Sequence, residues 1–281
     1  MICVTGDLHH AALRTGNQRH SDVPEIVTAQ RWLDILRESR TKVTYFVSGQ
    51  AFDDEWSDLR PLCDDPLVEL GGHTYSCFEP ALFHRASKKL CGSYNGPRWY
   101  QRRDVEKTIA AIRRRTGRTI RVWRNHMYMH GPNTYDVLSE CGIEVCSDVV
   151  SATAAGPTWA RAGLLELPIN VIPDHEHLYH AERTVEWVAE WKRRYGFRDA
   201  FGSESYRVDQ WAALVLAQID ENEKRGALST ILLHPITMYL CDRFASARKI
   251  LERVREAETV HVGDVHRLAT ARTTAALGVW S

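Results

Sequence analysis

"ICVTGDLHH", residues 2–10, is a β-branched, apolar run that breaks off in a carboxylate and two imidazoles. Its first five residues have the composition of a buried strand, so Asp7, His9 and His10 fall at that strand's C-terminal end. Similar apolar runs recur as "KVTYFVSG" (42–49), "LVELGG" (67–72), "IRVWR" (120–124), "EVCSDVV" (144–150), "LLELPINV" (164–171), "TILLHPI" (230–236) and "VHVGDV" (260–265). Helical spacing fills much of the sequence between them, at 23–39, 103–117, 208–226 and 245–258. The strands are nearly continuous in apolar character, as strands covered on both faces are. The alternation predicts an α/β fold, a distorted TIM-like barrel of seven to eight β/α units, as one domain over residues 1–281. A doubly wound open sheet fits less well, since no glycine-rich phosphate loop follows the first strand. The polar, aromatic stretch 79–101 reads as a long loop beside the site.

The bulk composition excludes several function classes. Lys+Arg and Asp+Glu are 36 each, so no basic field is available for nucleic acid. No run of 18 apolar residues is present to span a bilayer. The opening "MICVTGD" lacks the charged and apolar regions of a signal peptide, which sets the expectation of a cytoplasmic protein. Seven scattered cysteines without CxxC spacing predict reduced thiols rather than a disulfide framework or zinc ribbon.

In a barrel, chemistry sits where the strands end. The polar residues there are Asp7, His9 and His10, then His73, Arg124 and His126, then Asp174, His175 and His177, then His234. The period of two along a strand puts Asp7 and His9 on one face and His10 on the other. In "GGHTYSC", His73 and Cys77 are four apart, a spacing that shares a face on a helical turn. The run "PDHEHLYH" (173–180) packs three histidines and two carboxylates into eight residues. It is a second metal site, a substrate clamp or a polar loop; Asp174 or His175 is expected to contact substrate or to orient His234. Trp99, Tyr100, Trp123, Tyr128 and Trp159 near strand ends offer aromatic faces suited to sugar rings, or belong to the core.

Taken in order, "VTGDLH", "VTYFVSG", "ELGGHTYSC", "WRNH", "GIEVCSD", "LLELPI" and "ILLHP" resemble the polysaccharide deacetylase superfamily, over about residues 2–240. The resemblance implies a distorted barrel, a divalent ion held by one Asp and two His, and hydrolysis of N-acyl groups on amino sugars. By position it implies Asp7 as catalytic base, His73 as a metal histidine, Arg124 as the arginine that orients the base, and His234 as the acid for the leaving amine. The chain departs from the pattern at three places. The metal Asp falls on Leu8 or His9, the second motif histidine falls on Cys77, and a motif proline is replaced by His126. His9, His73 and Cys77 are therefore expected to hold the ion, most readily zinc, with His126, Asp174 and His175 toward the substrate.

The expected activity is removal of an N-acyl group from a small, soluble or nucleotide-linked amino sugar, or from a glycan intermediate of bacterial surface-polysaccharide synthesis. The alternatives are an amidohydrolase of a non-sugar, cyclic amide working without metal, and an inactive barrel that only binds glycan. The expected partner is a small-molecule or glycan substrate, with no nucleic acid; the oligomeric state is left open.

Overall fold

The computed structural model describes residues 1–10, 13–181 and 183–277, with the backbone alone at 16, 17 and 272–277. Eight strands form one curled sheet: β1 (Ile2–Leu8), β2 (Val43–Val47), β3 (Val68–Gly72), β4 (Val122–Trp123), β5 (Val145–Cys146), β6 (Thr158–Arg161), β7 (Leu164–Glu166) and β8 (Ser229–Leu232). Their order is β6-β7-β5-β4-β3-β2-β1-β8, parallel except for the antiparallel β6/β7 pair at one edge. All seven residues of β1 and all five of β2 are buried, so these strands are covered on both faces.

The sheet curls into a distorted barrel whose seam is joined by a side chain. Buried Asn170, just after β7, donates to the Leu228 carbonyl and accepts the Thr230 N–H, each at 2.8 Å. One planar amide thus links the segment after β7 to β8. The register sets the end of β1 beside those of β2 and β3: Asp7 pairs with Phe46, and Val47 with Gly72. Gly72 is required there. A Cβ on it would sit 2.3 Å from the Trp123 ring, which is fully buried against this strand end.

Three expectations need correction. "VHVGDV" is not a strand; its valines alternate, yet a helix begins at Val262. The first N–H groups of that helix are taken by Thr44 and Glu69 of the sheet, which satisfies donors a helix start otherwise leaves open. Residues 79–101 are not a loop but contain the helix Ala81–Cys91 and the start of Arg98–Thr116. The former buries only His84 and Ser87 while Leu82 and Leu90 face solvent, so its apolar residues do not mark its inner face. The third concerns the geometry of His73 and Cys77. Residues 73–80 form an irregular turn with Thr74, Cys77 and Phe78 at positive φ, and share no helical face.

Candidate active site

Asp7, at the end of β1, is the centre of the site. Its Oδ1 accepts a 2.9 Å bond from Arg124 Nη1. The Arg124 guanidinium is wholly buried: it also donates to the Ser147 carbonyl, Ser147 Oγ and Thr5 Oγ1, and it lies over the Phe46 ring. Burial alone would raise the Asp7 carboxyl, but the Arg124 charge, helped by His73, His234 and His9, outweighs it and lowers the pKa to about 2. Asp7 is an anion at every working pH.

Three imidazoles meet on one side of it. His73 Nε2 is 3.2 Å from His9 Nε2, 3.3 Å from His126 Nδ1 and 3.9 Å from Asp7 Oδ2. The outer nitrogens fix the tautomers. His73 Nδ1–H donates to the Arg124 carbonyl at 2.9 Å, and His9 Nδ1–H donates to Glu25 Oε1 at 2.9 Å. Burial presses the His73 pKa down to about 3, and it also lowers that of His126. With His73 neutral and its Nδ1–H given to the Arg124 carbonyl, its Nε2 lone pair points at His9 Nε2 and His126 Nδ1, where a cation can take it. Tetrahedral zinc with Zn–N of about 2.0–2.1 Å requires nitrogens roughly 3.3–3.4 Å apart, close to the separations seen. Glu25 completes a carboxylate–histidine pair of the kind that backs metal-ligating imidazoles. Cys77 Sγ lies near two of the three: ligand atoms of His9, Cys77 and His126 are all within 4.8 Å of one another. Burial and the Glu25 charge push its thiol well up, so it becomes a thiolate only beside a cation. The donor set fits a divalent ion.

His234, after β8, is the fourth imidazole at Asp7, its ring stacked on that of His9 with centroids 6.0 Å apart. Its Nε2 is 3.7 Å from Asp7 Oδ2, too long for a direct bond but spanned by one reacting atom or water. Its Nδ1–H donates to Asp174 Oδ1 at 2.7 Å, and its backbone N–H to Asp174 Oδ2 at 2.6 Å. Burial would lower this imidazole; the Asp174 charge and hydrogen bond, with Asp7, overcome burial and raise it to about 9. Asp174 itself is fully buried and accepts the His175 N–H as well, so it faces His234 and not a substrate.

A cavity of about 710 Å³ opens over these groups, lined by Asp7, His9, His73, Cys77, His126 and His234. His10 lines it too, turned aside onto Ser48 Oγ. The far wall holds His175, Glu176, His180, Arg183, Trp187 and Trp191. The Arg183 guanidinium lies 4.8 and 4.6 Å from the centres of the two indoles, which stack on each other. Burial holds Glu176 above the usual carboxylate range and lowers His180 to about 3. Of the aromatic residues expected here, only Tyr128 lines the cavity. Trp123 is core, Trp159 packs on His266 and Trp99 projects to solvent.

The sequence reading missed Glu25, Arg183, Trp187 and Trp191. Glu25 opens a helix, where an acid ordinarily answers the helix dipole, and nothing local marks it as buried. The tryptophans sit on the helix Val185–Tyr195, which buries only Val188 and so has little core periodicity.

Residues 22–146 match the family "Polysaccharide deacetylase", the one that the motifs resemble. No curated protein matches the sequence. Among solved structures, the chain is similar to a Mycobacterium smegmatis protein provisionally named a polysaccharide deacetylase, with 17% identity and a TM-score of 0.68, covering 96% of this chain and 91% of that one. A probable polysaccharide deacetylase from Pseudomonas aeruginosa PAO1 aligns at 15% identity and TM-score 0.65, covering 95% and 90%. A Puue allantoinase aligns at 14% and 0.62, covering 95% and 89%. At these identities the neighbours establish the fold, a distorted α/β barrel. No helix among the described residues is long and apolar enough to cross a membrane.

Proposed function

We propose that this chain is a hydrolase that removes an N-acyl group from an amino sugar with the help of one divalent ion, zinc being the best match to the donor set. One observation carries the reading: a carboxylate locked ionised and an imidazole held protonated stand 3.7 Å apart beside a group of imidazoles suited to an ion.

His9, His73 and His126 would hold the ion, with Cys77 in reach as a further ligand. The bound ion would supply a water of lowered pKa and polarise the acyl oxygen. Asp7 accepts the proton of the attacking water, and Arg124 keeps it oriented and charged for that purpose. His234 gives its Nε2 proton to the departing amine, while Asp174 fixes the tautomer and stabilises the imidazolium. Substrate enters from the wall of Trp187, Trp191, Arg183, Glu176 and His175, whose flat faces and hydrogen-bonding groups suit a sugar ring. The size of the cavity suits a small or nucleotide-linked amino sugar, of the kind surface-polysaccharide synthesis uses inside a cell.

The test is hydrolysis of small N-acetylated amino sugars by zinc-loaded protein, with a cyclic ureide as comparison substrate because one structural neighbour is named an allantoinase. Acetate released from the sugar and suppressed by chelation supports the reading. Turnover of the ureide alone, indifferent to chelation, points to the metal-free amidohydrolase; turnover of neither leaves a glycan-binding barrel.

A further inference from the structure

Two buried carboxyls outside the cavity hold the loop that carries Arg124 and His126. Glu166 ends β7; its Oε1 accepts the backbone N–H of Asp148 at 2.8 Å and of Val149 at 2.9 Å, and its Oε2 accepts the Tyr135 hydroxyl at 3.1 Å. Asp148 passes this fixation on. Its two oxygens accept the backbone N–H of Asn125 at 2.7 Å and the Asn125 side-chain amide at 2.6 Å, and His130 Nδ1 lies 3.5 Å from Oδ2. Asn125 Oδ1 in turn accepts Trp123 Nε1–H at 3.0 Å. Asn125 is thus held at three points.

Its two chain neighbours are the residues that matter. Arg124 clamps Asp7, and Ser147, the residue before Asp148, accepts two of the Arg124 N–H groups. His126 puts Nδ1 beside His73. Directly beyond come Met127 at φ 56 and Tyr128 at φ 54, two consecutive non-glycine residues in the left-handed region. Such strain persists only where the surroundings over-determine the backbone, and the loop would relax if released. Placing two acids in this buried corner works against burial, and neither lines the cavity.

We propose that Asp148 and Glu166 are positioning residues that fix residues 124–126 against the strain at Met127 and Tyr128 and so set His126 at the ion site. The inference rests on reading His126 as an ion ligand. It ascribes the effect to hydrogen-bond geometry: at Glu166, where one oxygen takes both backbone N–H groups, an uncharged amide should serve, whereas at Asp148, where each oxygen takes a separate N–H, it should not.

The test is a cobalt(II) titration of the full chain, followed by its visible absorption, together with hydrogen exchange of peptides covering 2–10 and 122–130. Asp148→Ala is expected to weaken cobalt binding about tenfold or more, while Glu166→Gln stays within about threefold, as its amide oxygen still accepts both backbone N–H groups. Exchange should quicken in 122–130 and not in 2–10 for Asp148→Ala only. If Asp148→Ala does not fold, Asp148→Asn, which forfeits one of the two bonds to Asn125, carries the same comparison. Cobalt affinity and spectrum unchanged in a folded but less heat-stable variant would reduce both acids to a structural role and overturn the proposal. If the wild type binds no cobalt, the ion reading fails by itself; the exchange pattern then decides, with unchanged 122–130 protection rejecting the positioning role.

Discussion

His73 and His234 approach the same atom, Asp7 Oδ2, at 3.9 and 3.7 Å, yet burial presses His73 to about 3 while His234 rises to about 9. Both rings are buried and both feel Asp7. The difference lies in what stands behind each ring. Behind His73 is a backbone carbonyl, with the charge of Arg124 close by; behind His234 is the carboxylate of Asp174, bonded at two points. One barrel mouth therefore presents neutral imidazoles, which are ligands, on the β3 side and an imidazolium, which is an acid, on the β8 side. The shared carboxylate between them is where a reacting water belongs.

Removing that carboxylate has the largest expected effect. Asp7→Asn is nearly isosteric and should lower turnover about 10³-fold while ion content stays near that of wild type, since Asp7 is not needed to complete the imidazole set. Metal analysis and single-turnover assays on the same sample check it; activity within tenfold of wild type excludes Asp7 as base.

Asp174→Asn makes the two sides alike. Turnover of an amide should drop about 10²-fold, and the alkaline limb of the rate profile, set near 9 by His234, should move toward neutral pH. An activated ester, whose leaving group departs without a proton, should be much less affected. Equal losses on both substrates would mean that Asp174 only supports the loop.

Glu25→Gln acts on the other side. The amide no longer offers His9 Nδ1–H a charged acceptor, and ion affinity should weaken roughly ten- to hundredfold with little change in turnover at saturating metal. Titration with a competing chelator measures it. His10→Ala, by contrast, should leave affinity alone, because that ring is bonded to Ser48.

The smallest effect is on stability. His234 binds its proton more tightly when folded, so its contribution is complete below its ordinary 6.5 and is lost as pH rises through about 9. Glu166, raised to about 7 by burial and by Asp148, acts in the same sense from 4.5 upward. Thermal scans of metal-free protein should show Tm falling by a few degrees between pH 6.5 and 9, and falling less in Asp174→Asn.

Much of this was legible in the sequence because barrel strands have a direct sequence signature. "ICVTGDLHH" shows where β1 ends, and strand ends say where chemistry sits. Asp7, His9, His73, Arg124 and His234 do converge in one cavity or directly behind it. The part that was not legible depends on contacts between distant segments. That Glu25 reaches back 16 residues to His9 and that His126 lies against His73 follow from how loops fold over the barrel mouth, and the same folding decides that Asp174, expected either to contact substrate or to orient His234, does the latter. The helix Ala81–Cys91 was hidden for the opposite reason: its leucines point outward, so its apolar spacing carried no core signal.

The central claim is that this cavity sets a protonated His234 against a neutral His73, and it can be measured without knowing the substrate. An NMR titration of ¹⁵N-histidine-labelled, metal-free protein, with His234→Gln for assignment, reads the charge on each ring directly. The account predicts a resonance that titrates near 9, is absent in His234→Gln and shifts to lower pH in Asp174→Asn, while the His73 signal stays that of a neutral ring down to about pH 3. A His234 ring that titrates at or below the ordinary 6.5, or a His73 ring protonated at neutral pH, would contradict it.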